Sequence, residues 1–328
     1  MRTVILLLIA LHISSEVFAC DICGNFNGIT PYDNQSSLQL VHRYRLFSRV
    51  NVSGQPFMPS GAYRIDPTYT PQHTGTEHQT LQKGDFESFK VVELRARIFV
   101  HRRIEAGVQL SWVQSKSRMY GVFNESSGLG DATVSIGYHL LRRLDDEFRF
   151  KQRLVLGAGV KLPTGNASAC DANGARKHLY FQNGTGSVDE IIYLQHVLGF
   201  GKFGSSFTVS SKFSGTNKFE EQLKPAFTLN GAVFWQWSKD KFRVAPQIQF
   251  YGEHTKGLYV NDVYESHSGM SMLMCGFGTD IFFGQLGVHT GFQLPLYEVT
   301  HDSDPSATFR AMFGLSWSFD QTEYLFNK

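Results

Sequence analysis

Beyond its N-terminus the 328-residue chain contains no run of eighteen apolar residues, so no helix of the length a bilayer demands can be drawn in it. Charge is sparse and balanced. Lys and Arg number 31 against 29 Asp and Glu, a formal +2 with 18% of residues charged, which removes the case for nucleic acid or a strongly anionic macromolecule as partner. Cysteine is scarce too. Four residues permit disulfides in an exported chain but are too few to frame a fold.

Alternation is what the chain has in abundance. Between Gly128 and Gly165, Ala132, Val134, Ile136, Tyr138 and Leu140 share one parity while Asp131, Thr133, Ser135, Gly137 and His139 share the other, the two-residue period of a strand. After the charged turn 142–147 the pattern resumes, with Leu154, Leu156, Ala158, Val160 and Leu162 on one face and Arg153, Gly157, Gly159 and Lys161 on the other. Each face is long enough for a tilted strand to cross a bilayer. Only helices and closed barrels satisfy every backbone donor and acceptor in lipid, so an integral chain of this kind must be a barrel.

The same reading along the chain gives about twelve strands, near 38–47, 90–100, 104–113, 131–140, 148–162, 190–198, 203–213, 226–237, 242–252, 269–282, 285–295 and 308–319. Connections after odd strands are long and those after even strands short. Long extracellular loops and short periplasmic turns, with both ends periplasmic, produce that alternation. The expected fold is all-β: a transmembrane antiparallel up-and-down β-barrel of the bacterial outer membrane, in contact with its lipid. Trp112, Phe148, Trp235, Trp237, Trp317 and Phe319 stand towards strand ends on the apolar parity, where interfacial aromatic girdles belong.

Residues 1–19 read as a secretory signal: Arg2, an apolar run over residues 4–11, then Val17-Phe18-Ala19 before a cleavage point. The divisions that follow are a periplasmic leader over 20–36, the barrel over 37–319 and a tail over 320–328.

Gly128-Leu129-Gly130-Asp131 opening a strand, Lys161-Leu162-Pro163-Thr164-Gly165 closing the next, and Gly184-Thr185-Gly186-Ser187-Val188-Asp189 entering a third resemble the outer-membrane transporters grouped with the MetA pathway of phenol degradation. Pro163 ends a strand because it cannot donate to the ladder, and Gly165 and Gly186 suit turns of positive φ. The resemblance implies a barrel passing small, apolar molecules and carries no catalytic residues. Some twelve-stranded barrels are lipases, and that chemistry needs a histidine and a serine two apart on an outward face. No such pair occurs here, so no enzymatic activity is expected.

The chemistry-bearing candidates are few. Glu93, Arg95, Arg97, Glu105, Asp131, Arg153, Lys161, Lys212 and Arg310 fall on the lumen parity. There they either line a selective constriction or cross-pair and fill a narrow barrel. His139 and His289 share that parity as hydrogen-bonded spacers. Cys20-Asp21-Ile22-Cys23-Gly24 supports a local disulfide or inert thiols, a soft metal or redox pair, or lipidation at Cys20. A metal at Cys20 and Cys23 is the one cofactor the sequence allows. It would make the barrel an anchor for a metal-handling segment with a periplasmic partner, the alternative to a channel for small solutes. The first outer loop, 51–87, is either a plug or a solvated excursion, and 301–304 reads as solvated loop.

Overall fold

The computed structural model describes residues 35–48, 84–119, 121–143, 150–171, 173–265, 268–299 and 305–319. Twelve long strands follow one another: β1 Ser36–Ser48, β2 Phe86–His101, β3 Ile104–Met119, β4 Ala132–Arg143, β5 Phe150–Leu162, β6 Asp189–Phe200, β7 Phe203–Ser214, β8 Ala226–Trp235, β9 Phe242–Thr255, β10 Met270–Phe283, β11 Leu286–Val299 and β12 Ala307–Phe319. Each pairs antiparallel with its predecessor, and β12 returns to β1, Ser36 standing opposite Phe319 and Leu40 opposite Leu315. The sheet is closed, so no long strand has an unpaired edge facing lipid.

The expected faces are realised. Leu94, Ile98, Val108, Leu110, Val134, Ile136 and Leu156 are exposed on the outer surface, as are Trp112, Trp235, Trp237 and Trp317, whereas Glu93, Glu105, Arg153, Lys161 and Arg310 are buried within. Lipid takes the apolar face, and the polar face lines the lumen.

Strand ends differ from the periodicity. β2 and β3 reach Phe86 and Met119, and the stretch expected as the second outer loop folds back as a strand, Val122–Leu129, paired to β3 from Met119 opposite Val122 to Trp112 opposite Leu129. Its Asn-Glu-Ser-Ser-Gly core shows no alternation of faces, and the edge of β3 supplies the order instead. Strand β8 stops at Trp235, because the Gln236 N–H turns to the Lys202 carbonyl at 2.6 Å, and Trp237–Lys239 then pairs with the start of β9.

On the side of the long connections, Glu221–Leu223, Leu258–Val260 and Val263–Tyr264 form a small separate sheet. A short 3-10 turn, Leu179–Phe181, lies in the β5–β6 connection, and its Leu179 is buried with Leu223 and Leu258. Gly186 adopts φ 70° as expected, but Gly165 is not a positive-φ position. Gly165 is there for space: a Cβ on it would stand 2.8 Å from the Cα of Gly184. The expected signal segment, Cys20, Cys23, residues 51–83 of the expected first outer loop, Phe148, residues 301–304 and the expected tail lie outside the described residues.

Candidate functional site

The inward side chains arrange themselves in layers down the lumen. At the outer end Phe47, Phe89, Tyr251, Met270, Met272, Met274 and Ala307 make a buried apolar cluster, and Phe181 packs on it from the β5–β6 connection. The Phe181 ring is stacked on Phe89 at 6.2 Å between centroids. An aromatic side chain from a connecting segment thus reaches into the mouth of the barrel, and Met and Phe around it present a deformable, polarizable wall.

Beneath this layer the lumen is ionic. Glu253 accepts from Arg45 at 3.0 Å and from the Tyr251 hydroxyl at 2.6 Å, while Arg310 lies over the Tyr251 ring at 3.9 Å and donates to Gln293 at 3.0 Å. Glu93 accepts from Arg43 at 2.5 Å, from Arg95 Nε at 3.0 Å and from Gln109 at 3.0 Å. Glu105 meets His139 at 3.1 Å, and Arg153 donates to Gln195 at 3.0 Å. Each ion is deeply buried, and such a charge persists only with its partners in place.

Asp131 is the point where the three glycine-bearing stretches of the sequence converge. It accepts from Lys161 at 2.5 Å, from the Gly165 N–H at 2.9 Å, and from the Thr185 N–H and hydroxyl at 2.9 and 3.0 Å. Lys161 also reaches Asp189 at 3.0 Å. The bulge at Gly130-Asp131, between Val122–Leu129 and β4, turns this carboxylate inward, and Gly165 and Gly184 let two backbone segments cross beside it. The result is a clamp that folds the 163–188 connection over the barrel.

At the other end of the lumen, Asp280 Oδ1 lies 3.0 Å from His289 Nδ1, and His289 Nε2 lies 2.8 Å from the Ser316 hydroxyl. The order matches a hydrolase triad. Ser316, however, stands within paired strands, with Gly287 opposite it on β11 and Gln39 opposite it on β1. The ladder thereby commits the backbone N–H groups that an oxyanion hole requires. The three residues act as a brace across β10, β11 and β12.

On the β1–β7 side the described residues line a half-open cavity of ≈180 Å³ whose charged lining is Arg95, Arg97, Glu105, Lys161 and Lys212. Of the sequence candidates, Glu93, Asp131, Arg153 and Arg310 do not line it; they belong to the ionic layers of the wall. The alternation of residues could have found Arg43, Arg45, Asp189, Glu253 and Asp280, which share the inward parity. Nothing local marked Phe181. Cys170 is exposed and Cys275 half-buried, both as free thiols; among the described residues no three His, Cys, Asp or Glu side chains are placed to hold a metal.

No protein-family model and no curated protein matches the sequence. Among solved structures, an outer-membrane channel from Pseudomonas putida F1 is similar over 89% of this chain and 100% of its own, with 11% identity and a TM-score of 0.60. The β-domain of the Bordetella autotransporter BrkA covers 88% of this chain and 100% of its own at 10% identity, with a TM-score of 0.48. At these identities the likeness concerns the fold. Together with the closed sheet, the apolar outer surface and the segregated connections, it establishes the architecture: the chain is a twelve-stranded antiparallel β-barrel of the bacterial outer membrane.

Proposed function

We propose that the chain is a gated channel for small molecules, with the 163–188 connection as its outer gate. The observation that carries this reading is Phe181, seated on the Phe and Met cluster at the mouth above a polar cavity. An apolar mouth favours solutes with apolar surface, and a hydroxyl- and charge-lined interior lets them move on without being trapped in grease. The fold likeness to an outer-membrane channel and the resemblance to phenol-degradation transporters agree with it. The metal-handling alternative has no observation of its own, since Cys20 and Cys23 lie outside the described residues.

Planar-bilayer recording of the refolded mature protein is the test, with heat-modifiable gel migration as the control for folding. Stepwise openings are expected, rare in the native chain and more frequent in Phe181→Ala. A folded barrel silent in both would overturn the reading.

A further inference from the structure

We infer that the lumen cavity is a binding site for an uncharged, polyhydroxylated ring, the chemistry of a single pyranose sugar. The inference deepens the channel reading by naming a class of solute, and it rests on that reading for the route by which the sugar arrives.

Charge comes first. Arg95, Arg97, Lys161 and Lys212 line the cavity together with Glu105. Glu93 holds Arg95, Asp131 and Asp189 hold Lys161, Asp189 lies 3.7 Å from Lys212, and Arg97 donates to the Gln35 carbonyl at 3.3 Å. Four cations thus stand against four carboxylates. An ion entering would give up its hydration with no surplus counter-charge to replace it. The uncommitted groups are neutral. Among the described residues the deeply buried Ser37 hydroxyl has no hydrogen-bond partner, and neither the Gln39 amide nor the Thr133 hydroxyl makes a side-chain hydrogen bond. A buried polar group left without a partner is destabilising, and a solute that both donates and accepts relieves it. Sugar hydroxyls do both.

Shape comes second. Gln39 and Thr133 belong to one inward row, which runs across the strands through Arg95 and Gln109. Ser37 begins the next row, which passes through Arg97 and Gly107 to Ser135 and Gly159. The two glycines carry no side chain into the lumen, so the wall is recessed on either side of Ser135. Tyr193 closes the recess. Its ring lies flat across Gly157 and Gly137, where a Cβ would fall 2.1 Å from the ring and 2.8 Å from its hydroxyl. A pyranose has CH groups on its faces and hydroxyls around its edge, so it can lay a face on this aromatic surface and turn its edge to the neutral donors and acceptors. About 150 Å³ takes one six-membered ring, and this half-open cavity is ≈180 Å³.

The test uses the full mature chain refolded in a zwitterionic detergent, which brings no sugar headgroup, and titrated calorimetrically with glucose, galactose, glucuronate and cyclohexanol. At least one of the two neutral hexoses is expected to bind, with the same affinity at low and high salt. Glucuronate, with its charge, and cyclohexanol, with its single hydroxyl, are expected to bind about tenfold more weakly or not at all. Gln39→Leu and Thr133→Val, each checked for heat-modifiable migration, are each expected to weaken the hexose by about fivefold, the loss of one neutral hydrogen bond. No binding of either hexose, glucuronate or cyclohexanol binding as tightly as the hexose, or hexose binding indifferent to both substitutions would overturn the inference. Bilayer recording separates this from the channel reading. Openings without hexose binding leave the channel standing and remove the site, whereas hexose binding to a silent barrel keeps the site and removes the channel.

Discussion

Arg176 holds Glu221 through both terminal guanidinium nitrogens, at 2.5 and 2.7 Å, tying the β5–β6 connection to the β7–β8 connection above the barrel. The Arg176 guanidinium also lies over the Phe219 ring at 3.8 Å, and Asn217 donates to Glu221 at 2.8 Å. A two-pronged pair of this kind is geometrically specific as well as charged. It is the outer fastening of the segment that carries Phe181.

The fastening is acid-labile. Burial pushes the Glu221 carboxyl upward, but the hydrogen bonds from Arg176 and Asn217 and the Arg176 charge outweigh it, so the group titrates below the ordinary value of 4.5. A carboxylate depressed in the folded state contributes stability above its unfolded pKa and loses it as pH falls through the lowered one. Bilayer recordings are therefore expected to show openings unchanged from neutral pH down to about the ordinary carboxylate range and more frequent below it. In Arg176→Ala the openings should be frequent at every pH.

Asp131→Asn removes the centre of the clamp. Lys161 keeps Asp189, so the loss falls short of a wholly orphaned charge. A destabilisation of about 3 kcal/mol is expected, read as a lower urea midpoint of the refolded barrel in vesicles. A midpoint equal to that of the native chain would show that the clamp does not hold the connection.

Gly184→Ala tests the crossing of the two segments. The new Cβ would stand 2.4 Å from Asp131 Oδ1 and 2.7 Å from the Cα of Gly165, and both are fixed by the clamp. The cost expected is about 1–3 kcal/mol, whereas Gly174→Ala, where nothing lies within 4 Å of the added carbon, should pay only for its φ of 82°. Thermal unfolding of the two variants side by side decides it.

Ser316→Ala should cost about 1 kcal/mol, the net worth of a neutral hydrogen bond, and Asp280→Asn about 2 kcal/mol, since a charged partner is lost. Hydrolysis of p-nitrophenyl esters by the refolded chain is expected to be the same with and without Ser316. Turnover abolished by Ser316→Ala alone would make the brace a catalytic triad.

Much of the fold was legible because the physics of a barrel wall is local. Val134 faces lipid and Ser135 the lumen for reasons contained in two adjacent residues, and a period of two needs no knowledge of the far side of the molecule. Strand number and loop segregation follow from repeating that reading. Val122–Leu129 escaped it because its order comes from β3 and not from its own composition. The site was legible only as parity. That Glu93 and Arg95 point inward is visible in the sequence, but that Arg45 meets Glu253, 208 residues away, depends on ring closure and strand stagger. Phe181 was invisible for the same reason, since its place is set by Asp131, Thr185 and Arg176 acting on a segment with no periodicity of its own.

The pairing of β1 with β12 sets the order in which this molecule can come into being. Hairpins form early from near neighbours, but the seam joining Ser36 to Phe319 spans the whole ring and carries the largest loop-closure entropy of any contact in it. Until the last strand arrives, the growing sheet is a ribbon with two naked edges, each a template for another chain. Closure of the seam is consequently the last step expected in folding. A chain cut short before β12 becomes an aggregation-prone open sheet instead of a smaller barrel.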